Sequence, residues 1–198
     1  MIGIIDYKLN NLRSVQKAFE KVGVSAFVSS DPKELAKADK LVLPGVGAFG
    51  SAMENIKKLG FEEIVREHAA AGKPLIGICL GMQLLFSTSY ENGTYTGLDI
   101  MHGEVKQFPN TMKVPHIGWN QIEMKTKSKI LSGVEDKSFV YFVHSYYAVP
   151  SEDVTLTTTE YGFHFTSVVQ KGEVYGIQFH PEKSQKAGLQ MLKNFAEL

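Results

Sequence analysis

The chain has 198 residues, of which 43% are hydrophobic, and its 21 basic and 21 acidic residues give a formal net charge of zero. This length suits a single packed domain over residues 1–198. The balanced charge excludes the basic field of a nucleic-acid-binding protein, and no apolar run is long enough to span a membrane. A single cysteine and an N-terminus unlike a signal peptide favour a cytoplasmic protein.

The first half of the chain alternates short apolar runs with stretches of helical periodicity. The predicted strands, separated by helices, are Ile2–Ile5, Ala26–Val28, Lys40–Leu43 and Leu75–Ile78. This alternation predicts an α/β fold with an open, mostly parallel central sheet and helices on both faces.

The second half of the chain consists mainly of short strand-like segments joined by tight turns. We expect these strands to form antiparallel extensions of the central sheet, at Glu104–Phe108, Gly118–Met124, Phe139–Tyr147, Val154–Glu160, Thr166–Gln170 and Val174–Phe179. A final helix is predicted after Ser184.

The only cysteine, Cys79, lies between an apolar strand and a helix-like stretch from Met82 to Phe86. Taken alone, a lone cysteine is more often a small buried hydrophobe than a nucleophile. Here Gly77 and Gly81 bracket it, as glycines do at a tight strand-to-helix elbow that exposes a reactive side chain. The pattern therefore predicts a nucleophilic thiol.

The segment His180-Pro181-Glu182 supplies a base and a carboxylate that can orient it. In an extended segment, residues two apart point to the same face, so Glu182 can bind one ring nitrogen while the other faces Cys79. This combination predicts acyl transfer through a thioester. A metal site is disfavoured because no further ligands lie at metal-binding spacing, and no cofactor is predicted.

The glycine-rich segment Pro44–Gly47 follows the third predicted strand as a loop, at the sheet edge where Cys79 is expected. Its backbone N–H groups, with the N–H of Leu80, could stabilise an oxyanion.

Trp119 is either a core aromatic or an interface anchor. His68 is interpreted as a solvated helix residue, and His102, His116 and His164 receive no role.

Together these residues resemble the class I (triad) glutamine amidotransferases. Further motifs narrow the resemblance to the glutaminase subunit of imidazole glycerol phosphate synthase over nearly the whole chain. The segments that carry it are 44–49, 77–83, 114–120, 141–146 and 178–184.

The resemblance implies an enzyme that releases ammonia from L-glutamine. Cys79 would attack the side-chain amide, His180 would transfer protons and Glu182 would hold the imidazole. The other roles that the resemblance implies are glutamine binding by Gln83, Glu91 and the segment His144, Ser145 and Tyr146, and an oxyanion hole at Gly45, Val46, Gly47 and Leu80.

The resemblance also implies a heterodimeric partner, a (β/α)₈-barrel cyclase that receives the ammonia through a tunnel. The cyclase would produce imidazole glycerol phosphate and an aminoimidazole carboxamide ribonucleotide in histidine biosynthesis. The residues expected to face this partner are Asn11, Trp119, Asn120 and Tyr141.

The chain departs from the family at Lys8, Asn10 and Asp99, where the family usually has glycine. One alternative is therefore a related glutaminase that supplies ammonia to a different synthase, such as one acting on surface sugars. A non-catalytic assembly module and a stand-alone hydrolase with an elbow cysteine are further alternatives. The complete set of Cys79, His180 and Glu182 disfavours the assembly module. The His-Pro-Glu segment, together with Gln83 and Glu91, disfavours the stand-alone hydrolase.

Overall fold

The computed structural model describes residues 1–8 and 12–198. Its helices are α1 (Leu12–Lys21), α2 (Pro32–Leu35), α3 (Phe49–Lys58), α4 (Phe61–Ala70), α5 (Leu80–Leu84) and α6 (Gln185–Glu197). Its strands are β1 (Ile2–Ile5), β2 (Ala26–Ser29), β3 (Lys40–Gly45), β4 (Leu75–Cys79), β5 (Phe86–Ser89), β6 (Tyr95–Thr96), β7 (Met101–Gln107), β8 (His116–Gln121), β9 (Glu123–Met124), β10 (Phe139–His144), β11 (Tyr146–Pro150), β12 (Thr155–Glu160), β13 (His164–Lys171) and β14 (Val174–Ile177). None of the helices in these two ranges is long and apolar enough to cross a bilayer.

The central sheet has eight strands in the order β2-β1-β3-β4-β14-β13-β12-β9. The first five strands pair in parallel, and the last three add antiparallel pairs at one edge. The predicted α/β class, with a mostly parallel sheet and antiparallel extensions, is confirmed.

Helices cover both faces of this sheet because successive side chains of its buried strands point to opposite sides. In β3, Leu41 and Leu43 join one apolar cluster, together with side chains from α3 and α4. Val42 between them joins a second cluster, which contains Phe19 of α1 and Phe195 of α6. The sheet is therefore buried on both faces.

The prediction for the second half was wrong in two respects. Strands β8 and β10 form a separate two-stranded sheet, and β11, β7, β5 and β6 form a four-stranded sheet, so these strands do not extend the central sheet. Two predicted strands are also split: Phe139–Tyr147 at Ser145 into β10 and β11, and Gly118–Met124 at Ile122 into β8 and β9. Phe86, expected at the end of a helix, begins β5 because helix α5 ends after only five residues.

The junction between β4 and α5 is packed too closely for side chains at its glycines. A Cβ atom on Gly81 would lie 1.7 Å from the carbonyl oxygen of Leu43 in β3. One on Gly77 would lie 2.6 Å from the carbonyl oxygen of Gly81. The glycines that bracket Cys79 therefore let helix α5 begin directly against the sheet.

Replacing Gly81 with alanine should reduce the free energy of unfolding by about 3 kcal/mol or more, because the methyl group would clash with rigid backbone. Gly172→Ala provides a matched control at a turn glycine with φ of +57° and open space around it. The control should cost only about 1–2 kcal/mol, the strain of a left-handed alanine. Urea unfolding of both variants measures the difference, and equal losses would contradict the packing argument.

Candidate active site

The elbow holds Cys79 in a conformation that few non-glycine residues adopt. Its φ and ψ angles are 55° and −111°, at the junction where β4 ends and α5 begins. Such backbone strain costs on the order of 1–3 kcal/mol and persists only where the surrounding packing imposes it. Cys79 is 6% exposed and lies at the wall of a cavity.

His180 and Glu182 follow β14, the strand that pairs in parallel with β4. The Nδ1 atom of His180 lies 2.8 Å from Oε1 of Glu182, and the two side chains are 3% and 1% exposed. Within the described residues, the Nε2 atom of His180 makes no hydrogen bond of ordinary geometry. His180 and Cys79 line the same cavity, so the carboxylate orients an imidazole that shares its cavity with the thiol.

The surroundings of His180 favour its protonated form. Burial alone would lower the pKa of His180, but its interactions with Cys79 and then with Glu182 outweigh burial and raise that pKa to about 10. His180 therefore carries a proton at neutral pH and can donate it to a leaving group.

The cavity beside Cys79 has a volume of about 320 Å³, at the lower end of the range for small-molecule sites. It is lined by Val46, Gly47, Cys79, Leu80, Gln83, Glu91, Pro115, Val143, His144, Ser145, Tyr146 and His180. Every residue predicted to bind glutamine is among them. Its size and its mixture of polar and apolar groups suit an amino acid.

Two of the cavity's polar side chains are held by hydrogen bonds to the backbone. Gln83 Nε2 donates to the carbonyl oxygen of Tyr146 at 2.9 Å. Glu91 Oε2 accepts from the N–H of Phe49 at 2.7 Å. Burial raises the pKa of Glu91, and the Phe49 N–H partly opposes this shift. Both side chains are therefore positioned before any ligand binds.

Comparison with known proteins agrees with this geometry. Residues 3–198 match the family model for class I glutamine amidotransferases. Over 198 residues the chain is 51% identical to the HisH subunit of imidazole glycerol phosphate synthase from Moorella thermoacetica, covering 100% of this chain and 94% of that protein. The corresponding subunit from Aquifex aeolicus is 54% identical over 194 residues, covering 97% of this chain and 94% of that protein.

The chain belongs to the class I glutamine amidotransferases, in the HisH subunit family. The resemblance inferred from its motifs is thereby confirmed, and the chain is a glutamine amidotransferase subunit. A crystal structure of a glutamine amidotransferase superposes with a TM-score of 0.78 at 18% identity, covering 100% of this chain and 99% of that one. At this identity the structural match shows the shared fold.

The segment expected to form the oxyanion hole lies beside Cys79. The third strand continues through Pro44 and Gly45, so the predicted loop is shorter than expected, and Gly45 pairs with Cys79. Val46, Gly47 and Leu80 line the cavity, whereas Gly45 does not. A φ of +97° at Gly47 turns the chain away from the strand, a conformation that favours glycine.

An exposed tryptophan and a half-buried tyrosine lie together on the two-stranded sheet. Tyr141 of β10 is opposite Trp119 of β8, and their rings meet edge to face at 5.9 Å between centroids. Trp119 is 47% exposed, and the neighbouring Ile117 and Phe139 are 59% and 58% exposed. Trp119 is therefore not a core aromatic, and this apolar patch has the composition of a binding surface.

The other residues predicted to face a partner are placed differently. The side chain of Asn120 donates to the carbonyl oxygen of Glu160 at 2.8 Å and approaches Nε2 of His116 at 3.3 Å. Its amide is therefore engaged within its own chain. Asn120 follows Trp119 on the same strand, and neighbouring residues of a strand point to opposite faces. Asn11 lies outside the described residues, as does Asn10.

Two departures from the family's glycines keep the backbone that glycine favours. Lys8 has a φ of 70°, and its N–H donates to Asp6 Oδ1 at 2.9 Å in an Asx turn. Asp99 has a φ of 48°, and its carboxylate accepts a hydrogen bond from Ser87. These hydrogen bonds help to hold the left-handed conformations in two residues that carry a Cβ atom.

Sequence reasoning assigned no role to two buried residues beside the amidotransferase site. Gln178 is fully buried, and its Nε2 donates toward Cys79 Sγ at 3.9 Å while its Oε1 accepts from Gln83 at 3.1 Å. Its position two residues before His180 on the same extended segment was the available signal. Tyr7 donates to the carbonyl oxygen of Pro44 at 2.6 Å, which fixes the end of β3.

The interpretation of His68 was wrong. The ring is 5% exposed, and its Nε2 lies 3.0 Å from the carbonyl oxygen of Pro74. Burial lowers the pKa of His68, so the ring serves as a neutral donor to the loop before β4.

Proposed function

We propose that this chain hydrolyses L-glutamine to glutamate and ammonia through a glutamyl thioester on Cys79. The observation that carries the proposal is the buried His180–Glu182 pair, 2.8 Å apart, beside a thiol held on a strained elbow. The family match over residues 3–198 supports it. Under this proposal residues 1–198 act as one amidotransferase domain in the cytoplasm.

Each step of the reaction follows from these groups. With the proton of Cys79 held on His180, the sulfur of Cys79 bonds to the amide carbon of glutamine, and the C–N bond breaks as His180 gives that proton to the departing ammonia. Water then attacks the thioester carbon while His180 accepts a proton from it. The C–S bond breaks, glutamate leaves and the sulfur of Cys79 is regenerated.

The cavity offers complementary groups for the substrate and the developing charge. We propose that Gln83 and the half-buried carboxylate of Glu91 contact the glutamine, whose ammonium group suits the Glu91 charge. The backbone of His144, Ser145 and Tyr146 would hold its carboxylate. Backbone N–H groups of Val46, Gly47 and Leu80, which line the cavity, would stabilise the oxyanion of the tetrahedral intermediate.

We propose that the ammonia passes to a (β/α)₈-barrel cyclase in histidine biosynthesis. The HisH relatives are subunits of imidazole glycerol phosphate synthase by name, and their identity to this chain reaches 54%. The exposed patch of Ile117, Trp119, Phe139 and Tyr141 is the proposed docking surface for the cyclase. The identity of 51% and 54% to these subunits over 100% and 97% of this chain favours this acceptor over a different synthase.

Replacing Cys79 with alanine should abolish glutamate release from glutamine, because the variant lacks the nucleophile. The cyclase subunit from the same organism, assembled with this variant, should still form product from free ammonium, since the acceptor chemistry lies in the partner. Product formation with each nitrogen source measures both activities. Loss of the ammonium-dependent reaction as well would contradict the division of labour.

Replacing Glu182 with glutamine should move the alkaline limb of the kcat/KM profile to lower pH. The charge of Glu182 helps to raise the pKa of His180 to about 10, so its loss lowers that pKa, and the proton donor disappears earlier as pH rises. The ratio of variant to wild-type kcat/KM against pH isolates the effect, because the substrate's own amine titrates identically in both reactions. Glu54→Gln, at an exposed position of α3, is the control. An unmoved limb would argue against the proposed pair.

Replacing Trp119 with alanine should weaken binding of the cyclase by tenfold or more, about the loss expected for a central aromatic anchor. Tyr90→Ala is the matched control, since Tyr90 is 45% exposed and lies outside the patch. Isothermal titration with the cyclase measures affinity, and the thermal midpoint checks the fold. Equal affinity for wild type and Trp119→Ala would reject the docking surface.

A further inference from the structure

Two buried histidines adjoin the glutamine cavity in an aromatic environment that disfavours charge. His116 is stacked between Phe142 and Tyr161, with ring centroids 4.8 and 4.0 Å away, and Phe108 packs edge-on against both histidines. Burial lowers the pKa of His116 to about 4 and that of His144 to about 3. Both rings are therefore neutral at physiological pH.

The hydrogen bonds of the two rings fix one tautomer for each. His144 Nδ1 lies 2.8 Å from the carbonyl oxygen of Tyr146, which can only accept, so Nδ1 carries the hydrogen. His144 Nε2 must then accept, and it lies 3.0 Å from His116 Nδ1, which donates to it. The remaining nitrogen, His116 Nε2, faces the amide of Asn120 at 3.3 Å and accepts from it.

The hydrogen bonds of the two histidines lead to the backbone of Tyr146, a residue that lines the proposed glutamine cavity. The carbonyl oxygen of Tyr146 accepts from both His144 and Gln83. Gln83 in turn donates to Gln178, whose amide reaches toward Cys79 Sγ at 3.9 Å. A continuous set of directed contacts thus runs from Asn120, beside the exposed Trp119, to the proposed nucleophile.

We infer that His116 is a positioning residue for glutamine binding. It donates to His144, which orients the Tyr146 carbonyl and with it the cavity wall and Gln83, and it links this wall to the strand that carries the proposed docking surface. The inference rests on the proposed glutaminase function. The feature of His116 that the site requires is the buried N–H donor at Nδ1, and not the size of the ring.

Two substitutions separate the donor from the ring. His116→Asn keeps a donor near the position of Nδ1 but loses the stacked ring, whereas His116→Phe keeps an aromatic ring without a donor. His116→Phe should raise the KM for glutamine about tenfold with a smaller change in kcat, consistent with the loss of one oriented hydrogen bond. His116→Asn should stay within about threefold of wild type.

Steady-state glutamine hydrolysis in the presence of the cyclase tests this difference, with thermal midpoints recorded for each variant. His164→Asn and His164→Phe form the control pair, because His164 is exposed on β13 and outside the chain of contacts. An equal rise in KM for both His116 variants, or no rise with His116→Phe, would overturn the inference. An inactive wild type would instead contradict the proposed function.

Nitrogen-15 spectra of the histidine rings provide a readout independent of turnover. At pH 7 wild type should show His116 and His144 as neutral Nδ1–H tautomers, and His144 should keep this form in His116→Asn but change its ring shifts in His116→Phe. An imidazolium or an Nε2–H tautomer at either ring in wild type would overturn the inference, whatever the activity.

Discussion

The structure of the site depends on the contact between the first turn of α5 and the end of β3. Because Gly81 has no side chain, its backbone can lie against the Leu43 carbonyl, where a Cβ atom would be 1.7 Å away. This contact forces the chain to turn sharply at Cys79 and holds that residue at a φ of 55°. The same strand delivers Gly45 opposite Cys79, so the proposed nucleophile and the proposed oxyanion segment are positioned by a single contact.

The groups that contact His180 and His144 give these two rings different charge states, one protonated and one neutral. His180 faces a carboxylate and the Cys79 thiol, and its pKa rises to about 10 despite burial. His144 donates to an uncharged carbonyl in an aromatic environment, and its pKa falls to about 3. Burial penalises the charged form in both cases, and only a charged partner outweighs that penalty. One cavity can therefore hold a protonated proton donor beside a neutral structural ring.

Much of the parallel half of the fold could be predicted from the sequence, because its strands are short apolar runs separated by helical periodicity. The elbow and the His180–Glu182 pair were also accessible, since glycine spacing and residue alternation are local signals. The separate sheets were not, because strand pairing depends on tertiary contacts that no local pattern encodes. The burial of His68 and the hydrogen-bonded amide of Asn120 were missed for the same reason: each depends on a backbone carbonyl that only the folded chain brings within reach.

The most direct test of the account is an acid-quenched reaction of wild-type protein, with its cyclase, and isotopically labelled glutamine. Digestion and mass spectrometry would then locate any covalent label. If Cys79 is the nucleophile, a transient glutamyl group forms on the peptide that contains Cys79 before free glutamate reaches its steady rate. Glutamate release without a labelled Cys79 peptide at any quench time, or label on another residue, would contradict it.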